Sequence, residues 1–137
     1  MEMIDPAPVR LSDEFELFIE RVRVTAGLDS APDTEVLARA TMRHLGRQMT
    51  DDIATALTAE MPSELARELT ADARSTAGDF DKEKLVEQVA GHLHASDVDT
   101  VERQVHAVLA TVRSWAGDGH VEDALARVPS SMAILFA

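Results

Sequence analysis

The feature that most limits how this chain can fold is a phrase it contains twice. Met61-Pro62-Ser63-Glu64-Leu65 returns as Val128-Pro129-Ser130-Ser131-Met132. Both read as an apolar residue, Pro-Ser, any residue, then another apolar residue. The prolines lie 67 positions apart, and that offset, applied without gaps, superposes the two halves. Glu16 falls on Glu83, Glu20 on Glu87 and Val22 on Val89. Phe18 and Ile19 fall on Leu85 and Val86, Glu35 on Glu102, Ala40 on Ala107 and Leu45 on Val112. Asp51 meets Asp118, Leu65 meets Met132 and Leu69 meets Phe136. Ile53 meets His120, so the register slips there. The apolar positions and the Pro-Ser step recur, whereas Glu60 and Glu64 become Arg127 and Ser131. What repeats is therefore a joint between helices. A half-chain of roughly 60 residues is near the lower limit for independent stability, so the two units are expected to share one core.

The spacing of apolar residues predicts the unit. Ser12 reads as an N-cap, with Asp13 and Glu14 in the first turn. Phe15, Phe18, Ile19 and Val22 follow on one helical face, and Gly27 is a plausible stop. A second helix tolerates Pro32 in its first turn and carries Leu37, Ala40, Thr41, Leu45 and Met49 inward. Thr50 is expected to cap a third, short helix with Ile53 and Leu57 on its inner face. Pro62 ends that helix and starts a fourth, which carries Leu65 and Leu69. The pattern then restarts. Leu85, Val86, Val89 and Leu93 mark a fifth helix, and Ser96 with Asp99 a capping-box-like start to the sixth. Val101, Val105, Val108, Leu109 and Val112 give that sixth helix the longest apolar face. After a turn at residues 117–120 come Val121, Leu125 and Val128, then Pro129 with Met132, Leu135 and Phe136.

The expected fold is all-α: about eight helices in two pseudo-repeated four-helix units sharing one aliphatic core. Residues 1–11, with Pro6 and Pro8, form an N-terminal tail. Residues 12–74 form the first unit, 75–79 a small polar linker, and 80–137 the second unit, all within one structural domain.

Composition sets the rest. Aromatic residues make up only 4% of the 137, so the core must be built from Leu, Val, Ile, Met and Ala, mostly good helix formers. With 25 acidic and 13 basic residues the net charge is −12, which argues against nucleic-acid binding and against an anionic membrane surface. The absence of Cys removes thiolate catalysis, disulfides and Cys-ligated zinc. With neither a secretory-type leader nor a membrane-length apolar run, the expected location is the cytoplasm.

The Pro-initiated step after a short helix, preceded by a helix like EFELFIERV and a longer one like VLARATMRHLGRQM, resembles a bacterial and archaeal family catalogued as domain of unknown function 2267. The resemblance covers residues 14–136 and rests on Met61-Pro62, Val128-Pro129 and Leu135-Phe136. Met61 departs from it, since the family more often has Leu there. The resemblance implies an all-helical, internally duplicated fold and carries over no catalytic residues.

No constellation of catalytic residues emerges. His92 and His94 sit roughly 200° apart on a helix, poor for a shared metal, and no His pair has the i, i+4 spacing that favours one. A site assembled from His94, His106 and a carboxylate is the remaining metal arrangement; His44 and His120 complete a scattered set. The acidic pairs Asp13-Glu14, Asp51-Asp52 and Glu122-Asp123 lie at expected helix starts, where the helix dipole favours them. Ser63 and Ser130 read as first-turn residues. Neither a metal nor a cofactor is expected. Trp115, the single Trp, aligns with Gln48, so a duplicated core does not demand it. It either closes one end of the core or lies partly exposed as a contact anchor. The expectation is a non-catalytic helical interaction module that binds another protein or itself, with Trp115 as a partner contact. The alternatives are a small-molecule or metal-binding protein, catalytic or not, with its site between the units, and an acidic mimic of nucleic acid.

Overall fold

The computed structural model describes residues 12–58, 61–71, 81–116 and 120–136. The expected tail (1–11) and linker (75–79) lie outside them, as do 117–119 of the expected turn. The described residues form α1 (Asp13–Ala26), α2 (Ala31–Gly46), α3 (Asp51–Thr58), α4 (Ser63–Ala71), α5 (Lys82–Leu93), α6 (Val98–Ala116), α7 (His120–Leu125) and α8 (Ser130–Ala133). A 3₁₀ turn, Ile134–Phe136, ends them, and no strand occurs among the described residues. The protein is all-α.

The offset of 67 carries element onto element. Added to the bounds of α2 it gives 98–113, against 98–116 for α6; added to α4 it starts at 130, where α8 starts. The joints agree at the level of single hydrogen bonds. The Pro62 carbonyl accepts from the N–H groups of Leu65 and Ala66, and the Pro129 carbonyl from those of Met132 and Ala133, all at 3.0 Å. Each proline thus supplies the first acceptor of the next helix, whereas the preceding helices stop four residues earlier, α3 at Thr58 and α7 at Leu125, so neither is ended by its proline as expected. Helix ends agree as well. Gly27 closes α1 in the left-handed region (φ 69°), and His94 closes α5 there (φ 56°). Leu28 donates to the Arg23 carbonyl and Ala95 to that of Ala90, both at 2.9 Å.

Packing exchanges the halves. Helix α1 lies on α6, and α2 lies on α5. Under the offset α1 becomes α5 and α2 becomes α6, so each contact is the other with its partners swapped. Side chains follow. Gln48, just past α2, accepts from the N–H of Asp81 (2.8 Å) and donates to its carbonyl (3.2 Å), at the start of α5. Its counterpart Trp115, near the end of α6, donates to Glu14 in the first turn of α1 (3.2 Å). The buried apolar side chains of all these helices make one continuous cluster, including Phe15, Phe18, Leu45, Leu69, Leu85, Val108 and Phe136. Burying a side chain of that size contributes about 1.5–3 kcal/mol.

Helices α2 and α4 meet backbone to backbone at Gly46, which has no side chain. A Cβ built on Gly46 would collide with the Leu69 carbonyl oxygen and lie 2.9 Å from its carbon. Beside this approach Glu68 of α4 receives Arg39 (3.2 Å) and Arg43 (3.5 Å) of α2. Helices α1 and α4 are tied at their starts. Glu64 accepts from the Ser12 N–H (2.8 Å) and its hydroxyl (3.0 Å), while Ser12 itself caps α1 by accepting from Phe15. Desolvation pushes the Glu64 carboxyl upward. The hydrogen bonds from Ser12, its own amide and Ser63 outweigh that and hold it below its ordinary value.

Four local expectations are corrected. The cap of α6 is Asp97, not Ser96: Oδ1 accepts from the N–H groups of Asp99 (3.1 Å) and Thr100 (3.3 Å), and Oδ2 from the Thr100 hydroxyl (2.7 Å). A carboxylate offers two acceptors where Ser96 offers one oxygen, and these bonds, the Thr100 hydroxyl first, lower the Asp97 pKa. Thr50 does not cap with its side chain; its hydroxyl donates to Asp52 (2.6 Å), and its carbonyl receives Ala54. Helix α2 stops at Gly46, yet Met49 beyond it is still buried in the core. The final helix is a single turn that tightens into 3₁₀, which brings Leu135 and Phe136 inward.

Candidate functional site

Helix α1 carries two apolar faces. Phe15, Phe18, Ile19 and Val22 are buried. Leu17 and Val24, two turns apart on the other side, are 64% and 65% exposed. A helix of one small domain needs only one apolar stripe, so the second has no role in the core. Arg21 lies between Leu17 and Val24, and its guanidinium stands 5.1 Å from the centre of the Trp115 ring.

Trp115 reaches this face from the end of α6. One edge packs on buried Phe18, centroids 5.5 Å apart at 70°. The indole N–H is held by Glu14, and the ring stays half-buried. The side chain thus both covers an end of the core and presents surface outward. Leu17, Glu20, Arg21, Val24, Thr25 and Trp115 line an open recess of about 390 Å³. A Trp fixed by three contacts and flanked by exposed aliphatic groups has little rotamer freedom left to lose on binding.

The histidines are placed differently from the sequence-level arrangement. His94 is the left-handed cap of α5, and His106 lies on the exposed side of α6. His44 and His92 come together, centroids 5.8 Å apart at 79°, across the α2–α5 contact. Helical spacing could not signal this pair, because it is made by packing. The Arg47 guanidinium lies 3.3 Å from His44 Nδ1. Among the described residues no group of three or more His, Asp or Glu side chains could hold a metal ion. The acidic pairs stand in the first turns of α1, α3 and α7. Ser63 and Ser130 open α4 and α8. A second cleft, lined by Glu16, Ile19, Glu20, Ala31, Pro32 and Glu35, holds three carboxylates. Glu20 and Glu35 there already pair with Arg23 and Arg39. Among the described residues no helix is long and apolar enough to cross a membrane.

Fold and site together define a small all-helical protein with one core and a second, outward apolar stripe around a single Trp. The sequence profile of the family described as "Uncharacterized conserved protein (DUF2267)" matches residues 15–135, and the chain belongs to that family. No curated protein matches the chain.

Proposed function

We propose that this protein is a non-catalytic, cytoplasmic helical module, built from two copies of one four-helix unit, that binds another protein through the α1–α6 face. The observation that carries the reading is Trp115, half-buried and fixed between exposed Leu17 and Val24 with Arg21 against its ring. Interface anchors are enriched in Trp and Arg, and such residues sit at the centre of a contact. The reciprocal contacts Gln48–Asp81 and Trp115–Glu14 support the two-copy reading. Substituting Trp for Gln at one of two matched positions makes one end of an otherwise balanced fold distinctive. A different protein is favoured over a second copy, since two chains of net charge −12 repel.

The test compares the wild-type chain with Leu17→Asp/Val24→Asp, which changes only exposed side chains of α1. Capture from the source lysate and sedimentation over a concentration series are measured for both. The reading expects a protein held by the wild-type chain and lost by the variant, with helical content unchanged. Equal capture by both, or capture of nothing by either, overturns it. A wild-type dimer abolished by the variant would replace the foreign partner with self-association.

A further inference from the structure

Beyond α1 a separate groove of about 490 Å³ lies between Thr25, Lys82 at the start of α5, one side of α6, and the 3₁₀ turn. Its volume falls within the range of small-molecule sites. Helix α6 shapes it. Val101, Val105, Val108 and Val112 turn into the core, which leaves Arg103, His106, Ala107 and Ala110 along the groove. Two alanines in place of larger side chains leave the recess open, and Ile134 and Leu135 form its apolar wall. Ile134 is 66% exposed.

The polar lining is unusual for a chain of net charge −12. Lys82, Arg103 and His106 converge here, with Glu102 as the one carboxylate. Lys82 and Glu102 touch loosely, at 3.5 Å, and both are over 40% exposed. Among the described residues Arg103 forms no ion pair; its guanidinium donates only to the Thr100 hydroxyl, at 3.3 Å. A guanidinium fork in no ion pair, with Asp97 acting on it only at longer range through Thr100, stands beside a recess walled by Ala and Ile and is complementary to an anion with an apolar tail.

We propose that this groove binds a small amphipathic carboxylate, its head on Arg103 and Lys82 and its tail laid over Ala107 and Ala110 toward Ile134. The site shares Thr25 with the recess at Trp115 but none of its other lining residues, and binding there does not depend on that face. Each methylene taken out of water should tighten binding about three- to four-fold until the recess is filled.

Calorimetric titrations test this with hexanoate, octanoate and decanoate, each far below the concentration at which it aggregates, and with octylamine and octanol at the same chain length as octanoate. The expected result is tightening along the acid series, and at least ten-fold weaker binding of octylamine and octanol than of octanoate. Arg103→Glu should lower octanoate affinity at least ten-fold. Ala110→Leu, which fills the recess with a good helix former, should do likewise without loss of helical content. No heat with millimolar octanoate, equal affinity for acid, amine and alcohol, or wild-type affinity in both variants would each overturn the proposal.

Discussion

Gly46 is where the smallest change should do the most damage. It is the last residue of α2, and a Cβ there would meet the Leu69 carbonyl of α4: its oxygen in collision, its carbon at 2.9 Å and its Cα at 3.3 Å. Every atom in the way is backbone, so no rotamer change can relieve the contact. On helix propensity alone Gly46→Ala should stabilise by about 0.5–1 kcal/mol. Against this stands a forced separation of two packed helices, and overpacking of a filled core costs roughly 1–3 kcal/mol or more. Separation would also lengthen the Glu68 contacts to Arg39 and Arg43 and loosen Leu65 and Leu69, both fully buried. The net expectation is a loss of about 1–2 kcal/mol, or a fall in Tm of roughly 3–8 °C. Gly91→Ala is the matched control. It lies within α5 with nothing within 4 Å of the added carbon, so it should gain up to about 1 kcal/mol from propensity. Urea unfolding followed by circular dichroism measures both. If Gly46→Ala proved as stable as the wild type, or changed in the same direction as Gly91→Ala, the argument from close approach would fail.

Three other consequences can be measured in the same way. His94 occupies the left-handed region that Gly27 occupies in the first half, so His94→Gly should raise stability by about 0.5–1 kcal/mol and Gly27→Ala should lower it by about 1 kcal/mol; the same sign for both would refute the capping argument. Glu64→Gln should cost on the order of 1 kcal/mol near neutral pH, a figure already reduced for the partial exposure of the group. Because the folded-state pKa of Glu64 is lowered, its stabilisation is complete above about pH 4.5 and is lost as pH falls through the folded value, so wild type and Glu64→Gln should converge in acid; a constant difference down to pH 2 would remove the charge from the explanation. Asp97→Ala should shorten α6 at its start and cost about 1 kcal/mol, whereas Ser96→Ala should be nearly silent, as thermal melts would show.

Apolar spacing and proline placement determined most of this fold in advance. Phe15, Phe18, Ile19 and Val22 have to face inward together because helical periodicity puts them on one side, and Pro62 and Pro129 have to start helices because they cannot continue them. The 67-residue offset anticipated the order of the helices among the described residues but not their lengths: α4 runs over Ser63–Ala71, whereas α8 is the single turn Ser130–Ala133 followed by 3₁₀. Local competition between neighbouring caps was harder to read: Ser96 and Asp97 both suit the position, and the two carboxylate oxygens of Asp97 decide it. The functional surfaces were the least legible part. Sequence singled out Trp115 but not its setting, because it joins Leu17 and Val24, which share one face of α1, only when α6 lies on α1. The groove of Arg103, Ala107, Ala110 and Ile134 likewise needs the 3₁₀ turn to fold back against α6. Periodicity is a property of one helix at a time and is written in the order of residues. Which helix faces which, how closely Gly46 meets Leu69, and which side chains remain uncovered depend on packing between distant segments, and only the tertiary structure decides them.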